Sequence, residues 1–301
     1  MNAPTPALDL LRPFQLESSQ LRGRALRLGP VIDAVLKAHA YPEPVSRLLG
    51  ELLVLSGAFA GALKYDGTFS LQTRGDGPVR LMVADIANDG AMRGYAGFEP
   101  GAVPDDAGFE SLVGEGVMAL TVDQSRTGGE TYQGIVPLEG GSITAGMLAY
   151  FHRSEQVPTG ICSAIGQDPL TGAWRGGAIV LQAMPGEGSE TAAERSEDWR
   201  RAMLLLQTVT DDELLDPGLS LDSLLLRLFH EEGVRVFDPT PLRFGCSCSE
   251  ERVRETLARF PLDELLAMKE ADGKAHVTCQ FCSRSYALDD AALRALAAPP
   301  H

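Results

Sequence analysis

Residues 244–286 read FGCSCSEERVRETLARFPLDELLAMKEADGKAHVTCQFCSRSY, and Cys246, Cys248, Cys279 and Cys282 near their two ends are the most informative residues of the chain. Two close pairs separated by thirty residues suit a tetrahedral ion. Each pair takes one edge of the tetrahedron, and the polar, helix-prone spacer folds back to bring the edges together. A CxxC alone is weak evidence, since a redox dithiol has the same spacing. Joined to a CxC, it reads as a four-thiolate zinc site, one ion per chain in the reduced state. A disulfide scaffold and an iron–sulfur cluster are the other readings. The one-residue gap is tighter than that of ordinary zinc knuckles, which suggests more than a static staple.

Between the pairs, Ser249 can cap a helix over Glu250–Arg259, Pro261 restarts a second helix, and Asp272-Gly273 turns the chain into a strand ending at Cys279. Upstream, the prolines of Asp238-Pro239-Thr240-Pro241 stop any helix and mark a boundary. Residues 239–301 are therefore expected to form a small zinc-binding domain whose meagre core leaves it dependent on its metal. His276 lies near Cys279, but four sulfurs already fill the shell.

Residues 186–238 alternate charged clusters with leucine-rich turns and read as a helical linker. Thr210 and Glu213 have capping-box spacing, and Ser220 starts another helix. Trp199, Met203 and Leu206 share one helical face; Leu221, Leu224, Leu225 and Leu228 share another. Such stripes must pack on the first domain or on another chain. Both a plainly docked linker and a switchable surface formed by Trp199, Met203, Leu224 and Leu228 fit this pattern.

Residues 1–185 read as an α+β domain of strands, glycine turns and a few helices. Leu71–Arg74 and Arg80–Val83 flank the turn residues Gly75-Asp76-Gly77-Pro78, so Arg74-Gly75-Asp76 is a hairpin turn rather than an adhesion motif. A second hairpin is expected from Met118–Val122 and Thr131–Val136 around Thr127–Glu130, and a buried helix from Leu48 to Leu63, with Gly57 and Gly61 allowing close packing. Cys162 reads as a small core residue.

With 301 residues and 44 % hydrophobic content, the chain can bury a full core. A net charge of -15 counts against nucleic acid and anionic membranes as partners. The charge-free run Leu52–Leu63 is too short to span a bilayer. MNAPTPALDLLRPFQLE lacks a secretory pattern, which together with paired thiols points to a reducing, cytoplasmic setting. There is no phosphate loop, dinucleotide fingerprint, HExxH or GxSxG, so no enzymatic activity is expected.

Zinc would store four thiolates that an oxidant can attack. If each pair closed on itself, a three-residue loop would contribute roughly 1.5 kcal/mol against about 10–16 kcal/mol for structural zinc, and the domain would unfold. Bridges between the pairs would close much longer loops, worth about 4 kcal/mol each, and would keep it folded.

These residues resemble the thirty-three-kilodalton heat-shock protein family, redox-regulated holdase chaperones of the bacterial cytoplasm. The likeness rests on CSC and CQFC, on VFDPTPLRFGC before them, and on LLGELLVLSGAFAGALKYDGTFSLQTRGDGPVRLMVADI, AMRGYA, ETYQGIVPLEG, YFHRSEQVPT and GGAIVLQAMP in the same order. It implies an α+β domain, a helical linker and a four-cysteine zinc domain. It further implies oxidation to Cys246–Cys248 and Cys279–Cys282 disulfides, unfolding of the zinc domain and linker, homodimerisation, and ATP-independent binding of unfolding client proteins. Glu51, Arg93, Tyr132 and Glu155 in the matching segments are expected to be structural. The competing function is a thiol–disulfide oxidoreductase using Cys279 and Cys282. That chemistry prefers a helix N-terminus, whereas Cys282–Tyr286 reads as a turn into a strand.

Overall fold

Two strands, β1 (Leu10–Leu16) and β2 (Leu21–Leu28), and a short helix, α1 (Pro30–Lys37), lead into α2 (Glu43–Ala60), the helix expected from the apolar run at Leu48. It starts ahead of that run because Pro42 and Pro44 preset the backbone of its first turn, where a missing N–H costs nothing. Ala62 and Leu63 lie outside the described residues, as do Thr127 of the second expected turn and the linker boundary at Gly186. This computed structural model describes residues 8–61, 66–125, 128–184 and 192–296.

The expected hairpins form. β3 (Thr68–Gly75) and β4 (Val79–Ala87) pair antiparallel across Asp76-Gly77-Pro78 and continue into β5 (Ala91–Phe98). A single-turn helix, α3 (Phe109–Val113), precedes the antiparallel pair β6 (Gly116–Asp123) and β7 (Thr131–Pro137). Next comes α4 (Ile143–Tyr150), whose first turn is capped by the Ser142 hydroxyl, and then β8 (Thr159–Gln167) and β9 (Trp174–Ala183).

The residues expected to form the linker fold as α5 (Ala192–Leu206), α6 (Asp211–Leu215) and α7 (Leu221–Phe229), within the same compact unit as the two sheets. The capping box at Thr210 and Glu213 is complete, and the Ser220 hydroxyl caps α7. Beyond it run three short strands, β10 (Val234–Val236), β11 (Thr240–Pro241) and β12 (Arg243–Phe244).

One sheet has the order β10-β1-β2-β9-β8, with β11 also on β1; the other has the order β12-β5-β4-β3-β6-β7. Helix α2 packs against both, which is why nearly every one of its residues is buried. A Cβ at Gly57 would sit 2.5 Å from Leu26 Cδ1, so the close approach to β2 depends on that glycine. Strands β2 and β9 are buried on both faces. Their second face is covered by the linker: Phe14, Leu16, Leu21, Ala25, Ala164, Ile179 and Leu181 form one cluster with linker residues such as Leu206, Leu214, Leu224, Leu225, Leu228 and Phe229.

A second compact unit begins at Gly245. It holds α8 (Glu250–Leu257), α9 (Leu262–Ala267), the hairpin β13 (Ala275–Thr278) and β14 (Ser285–Leu288), and α10 (Asp290–Leu296). Ser249 and Pro261 start the two helices, as the sequence suggests. Among the described residues its buried apolar core is Leu257, Leu265, Ala275, Leu288 and Leu293. The protein is thus α+β, with the four cysteines together near its C-terminus.

Candidate metal centre

Cys246 and Cys248 sit just before Ser249, the N-cap of α8. Cys279 and Cys282 sit in the tight turn between β13 and β14. There Ser283 N–H donates to the Cys279 carbonyl and Cys279 N–H to the Arg284 carbonyl, both at 2.9 Å. Ser283 takes a left-handed backbone at φ 56°, which wraps the turn around the sulfurs.

All four Sγ atoms lie within 4.8 Å of one another. Sulfurs of the two pairs are in contact, Cys246 with Cys279 at 3.6 Å and Cys248 with Cys282 at 3.4 Å. Four sulfurs at about 2.3 Å from one ion would form a tetrahedron with edges of about 3.8 Å, so the cluster is compatible with a metal site. Among the described residues no other group of three or more histidine, cysteine or carboxylate ligands is gathered in this way. His276 instead bonds Asp272 at 2.9 Å.

As thiols, the four sulfurs are not equivalent. Burial opposes ionisation at Cys248, but the Tyr286 hydroxyl and the neighbouring sulfurs donate to it and bring it down to about 7. Cys282 is pushed up to about 12 by burial and by its neighbours' sulfurs. Cys246 is raised, again chiefly by burial. Four sulfurs gathered in this way are a donor set that a soft cation suits.

In the first unit, Leu224 and Leu228 are buried, and Trp199 and Met203 are half-buried against the same cluster. Cys162, on β8, lies half-buried at this interface, its thiol raised by burial and then by the charge of Asp211. Two polar clamps that sequence reasoning missed also hold these helices. Arg27 on β2 is only 1 % exposed, and its guanidinium donates to the carbonyls of Glu213 and Leu214 at 2.8 Å each and to that of Leu219. These acceptors lie in and just beyond α6, where carbonyls lack helical partners. Arg201 on α5 bonds both oxygens of Glu232, one at 3.0 Å, and Glu232 also accepts from the Ser18 hydroxyl at 2.8 Å. An arginine among apolar strand residues, as in LRGRALRL, is the one visible signal for the first clamp.

Glu51, expected to be structural, accepts from the backbone and hydroxyl of Thr144 at 2.9 and 2.6 Å. Arg93 pairs with Asp85 at 2.7 Å, and Tyr132 and Tyr150 both donate to Glu155.

Fold and site define a class: an α+β protein with helices docked on one sheet and a small C-terminal four-cysteine cluster. The profile of the family described as "Hsp33 protein" matches residues 9–289, and the chain belongs to that family. It is 42 % identical to the 33 kDa chaperonin of Caulobacter vibrioides over 93 % of this chain and 95 % of that one. It is 35 % identical to the 33 kDa chaperonin of Escherichia coli over 98 % of both. The crystal structure of the 33 kDa chaperonin of Thermotoga maritima shares the fold, with a TM-score of 0.81 at 21 % identity over 96 % of this chain and 97 % of that one. Among the described residues no helix is long and apolar enough to cross a membrane.

Proposed function

We propose that this chain is a redox-regulated, ATP-independent holdase of the cytoplasm. The gathering of Cys246, Cys248, Cys279 and Cys282 within 4.8 Å, in a unit with almost no core of its own, carries this reading. These cysteines would hold one zinc ion per chain, which when bound keeps the sulfurs as thiolates and supplies the folding energy the unit lacks.

Hydrogen peroxide removes two electrons from a pair of thiolates. Its O–O bond breaks, an S–S bond forms, and two hydroxides leave. Closure as Cys246–Cys248 and Cys279–Cys282 destroys the ligand set and replaces it with two nearly worthless short loops. The reduced cluster also has the cross-pair sulfurs in contact, so this pairing rests on loop energetics and on the family resemblance. Peptide mapping after peroxide should find the within-pair disulfides; mainly cross-pair bridges would remove the unfolding switch.

Only Gly245 separates Cys246 from β12, and the chain upstream runs along sheet edges as β12, β11 and β10 before reaching α7. Unfolding that starts at the cysteines thus propagates along the chain into the linker. Trp199, Met203, Leu224 and Leu228 then become available to an unfolding client or to a second copy in a homodimer. The turn-and-strand setting of Cys279 and Cys282 disfavours oxidoreductase turnover.

The test follows zinc release and suppression of client aggregation together during peroxide treatment, with insulin reduction measured alongside. Zinc release and holdase activity should rise in step while insulin stays intact. Full activity in the reduced, zinc-loaded protein, or steady insulin turnover, would overturn the reading.

A further inference from the structure

The four sulfurs are tied to one another, but one of them also takes a hydrogen bond from a side chain of the other half of the site. Tyr286, on β14, donates its hydroxyl to Cys248 Sγ at 3.1 Å. Arg284, two residues earlier, lies against the same hydroxyl, so a cation polarises the O–H that faces the sulfur. The tyrosine belongs to the CxxC half, whereas the sulfur it touches belongs to the CxC half. Sheet geometry explains the reach: Tyr286 pairs with Val277 across the hairpin, and the turn between the strands carries Cys279 and Cys282.

We propose that Tyr286 is a positioning residue that restrains oxidation of the Cys246–Cys248 pair. This rests on the reading of the four cysteines as a zinc-thiolate redox site. A site of four thiolates and one divalent cation carries two net negative charges, and donors around it lower the charge on each sulfur they touch. Oxidation begins when a sulfur lone pair attacks the peroxide oxygen. The lone pair engaged by Tyr286 is not free to do so. Attack then gives a sulfenic acid and hydroxide, and the partner thiolate displaces the second hydroxide to close the disulfide. The hydroxyl donates throughout and is not consumed.

The experiment uses full-length protein loaded with zinc or cobalt and compares wild type, Tyr286→Phe, Arg284→Gln and Thr278→Val. Thr278 bonds Ser285 across the same hairpin at 2.9 Å and serves as the structural control. Disulfide formation in each pair is followed under hydrogen peroxide by quenching with an alkylating reagent and mapping peptides. Tyr286→Phe should retain metal, shift the sulfur-to-cobalt charge-transfer band to lower energy, and speed closure of Cys246–Cys248 by about five- to tenfold, the scale of one ordinary net hydrogen bond. Cys279–Cys282 should be much less affected, and Arg284→Gln should show a smaller gain at the same pair. If wild type binds no metal, the zinc-thiolate reading itself fails. Wild-type rates in both Tyr286→Phe and Arg284→Gln with metal retained would overturn the inference alone. So would equal acceleration of both pairs, or the same selective gain in Thr278→Val, because a merely loosened hairpin would produce it. Where Tyr286→Phe does not hold metal, Arg284→Gln decides: no selective gain there overturns the inference.

Discussion

At the residue scale the four cysteines carry different burdens despite their equivalence as ligands. Replacing any one with serine leaves three sulfurs and an open shell, so zinc content should fall sharply in each single variant; unchanged zinc in all four would refute the site. Stripping zinc from the reduced protein should unfold the unit that holds the cysteines, and the four sulfurs should then be alkylated by iodoacetamide at similar rates, because the contacts that lower Cys248 and raise Cys282 exist only in the folded cluster. Peptide-resolved alkylation measures each sulfur, and a Cys248 that still reacts far ahead of Cys282 would show that the unit keeps its fold without metal.

At the element scale the linker is held by leucines and by two clamps, and these fail under different conditions. Arg27→Met removes three charge-assisted bonds to carbonyls and should cost the docked linker about 3 kcal/mol. Leu224→Asp buries a carboxylate in the same cluster and should act likewise. Both should therefore show holdase activity in the reduced, zinc-loaded state. If linker proteolysis rises in these variants while activity still waits for oxidant, freeing the linker is not the activating step. The second clamp responds to acid. Arg201, with help from Ser18 and against burial, holds Glu232 below its ordinary 4.5. A carboxyl depressed on folding stabilises fully above its unfolded value and ceases to do so as pH falls through the lower folded value. Linker protection from protease should therefore decline below about 4.5, and Glu232→Gln should weaken it at neutral pH and flatten that decline.

At the scale of the whole molecule, oxidation should expose apolar surface and melt helix at once, since the second unit and α5 to α7 contribute much of the helical structure. Dye binding should rise as far-ultraviolet circular dichroism weakens, and a gain in dye binding with helix intact would argue against linker release. A net charge of -15 keeps such an exposed state soluble.

The sequence by itself determined what depends on local chemistry. The gathering of the four cysteines, the caps at Thr210, Ser220 and Ser249 and the Asp76-Gly77-Pro78 turn follow from local sequence, and each forms as read. The family resemblance was legible for the same reason, being carried by short ordered segments. The run Ala178–Leu181 is apolar without alternation, which says that β9 is covered on both faces, but not by what. Only the tertiary structure showed that α2 covers one face and the linker the other. It alone placed Arg27 under the carbonyls of Glu213, Leu214 and Leu219, Arg201 on Glu232, and Tyr286 on Cys248. Arg27 and its carbonyl acceptors are nearly two hundred residues apart, and a bond to a main-chain carbonyl leaves no mark on the identity of its partner. Such contacts follow from how the sheets stack and the chain returns, which is a property of the whole fold.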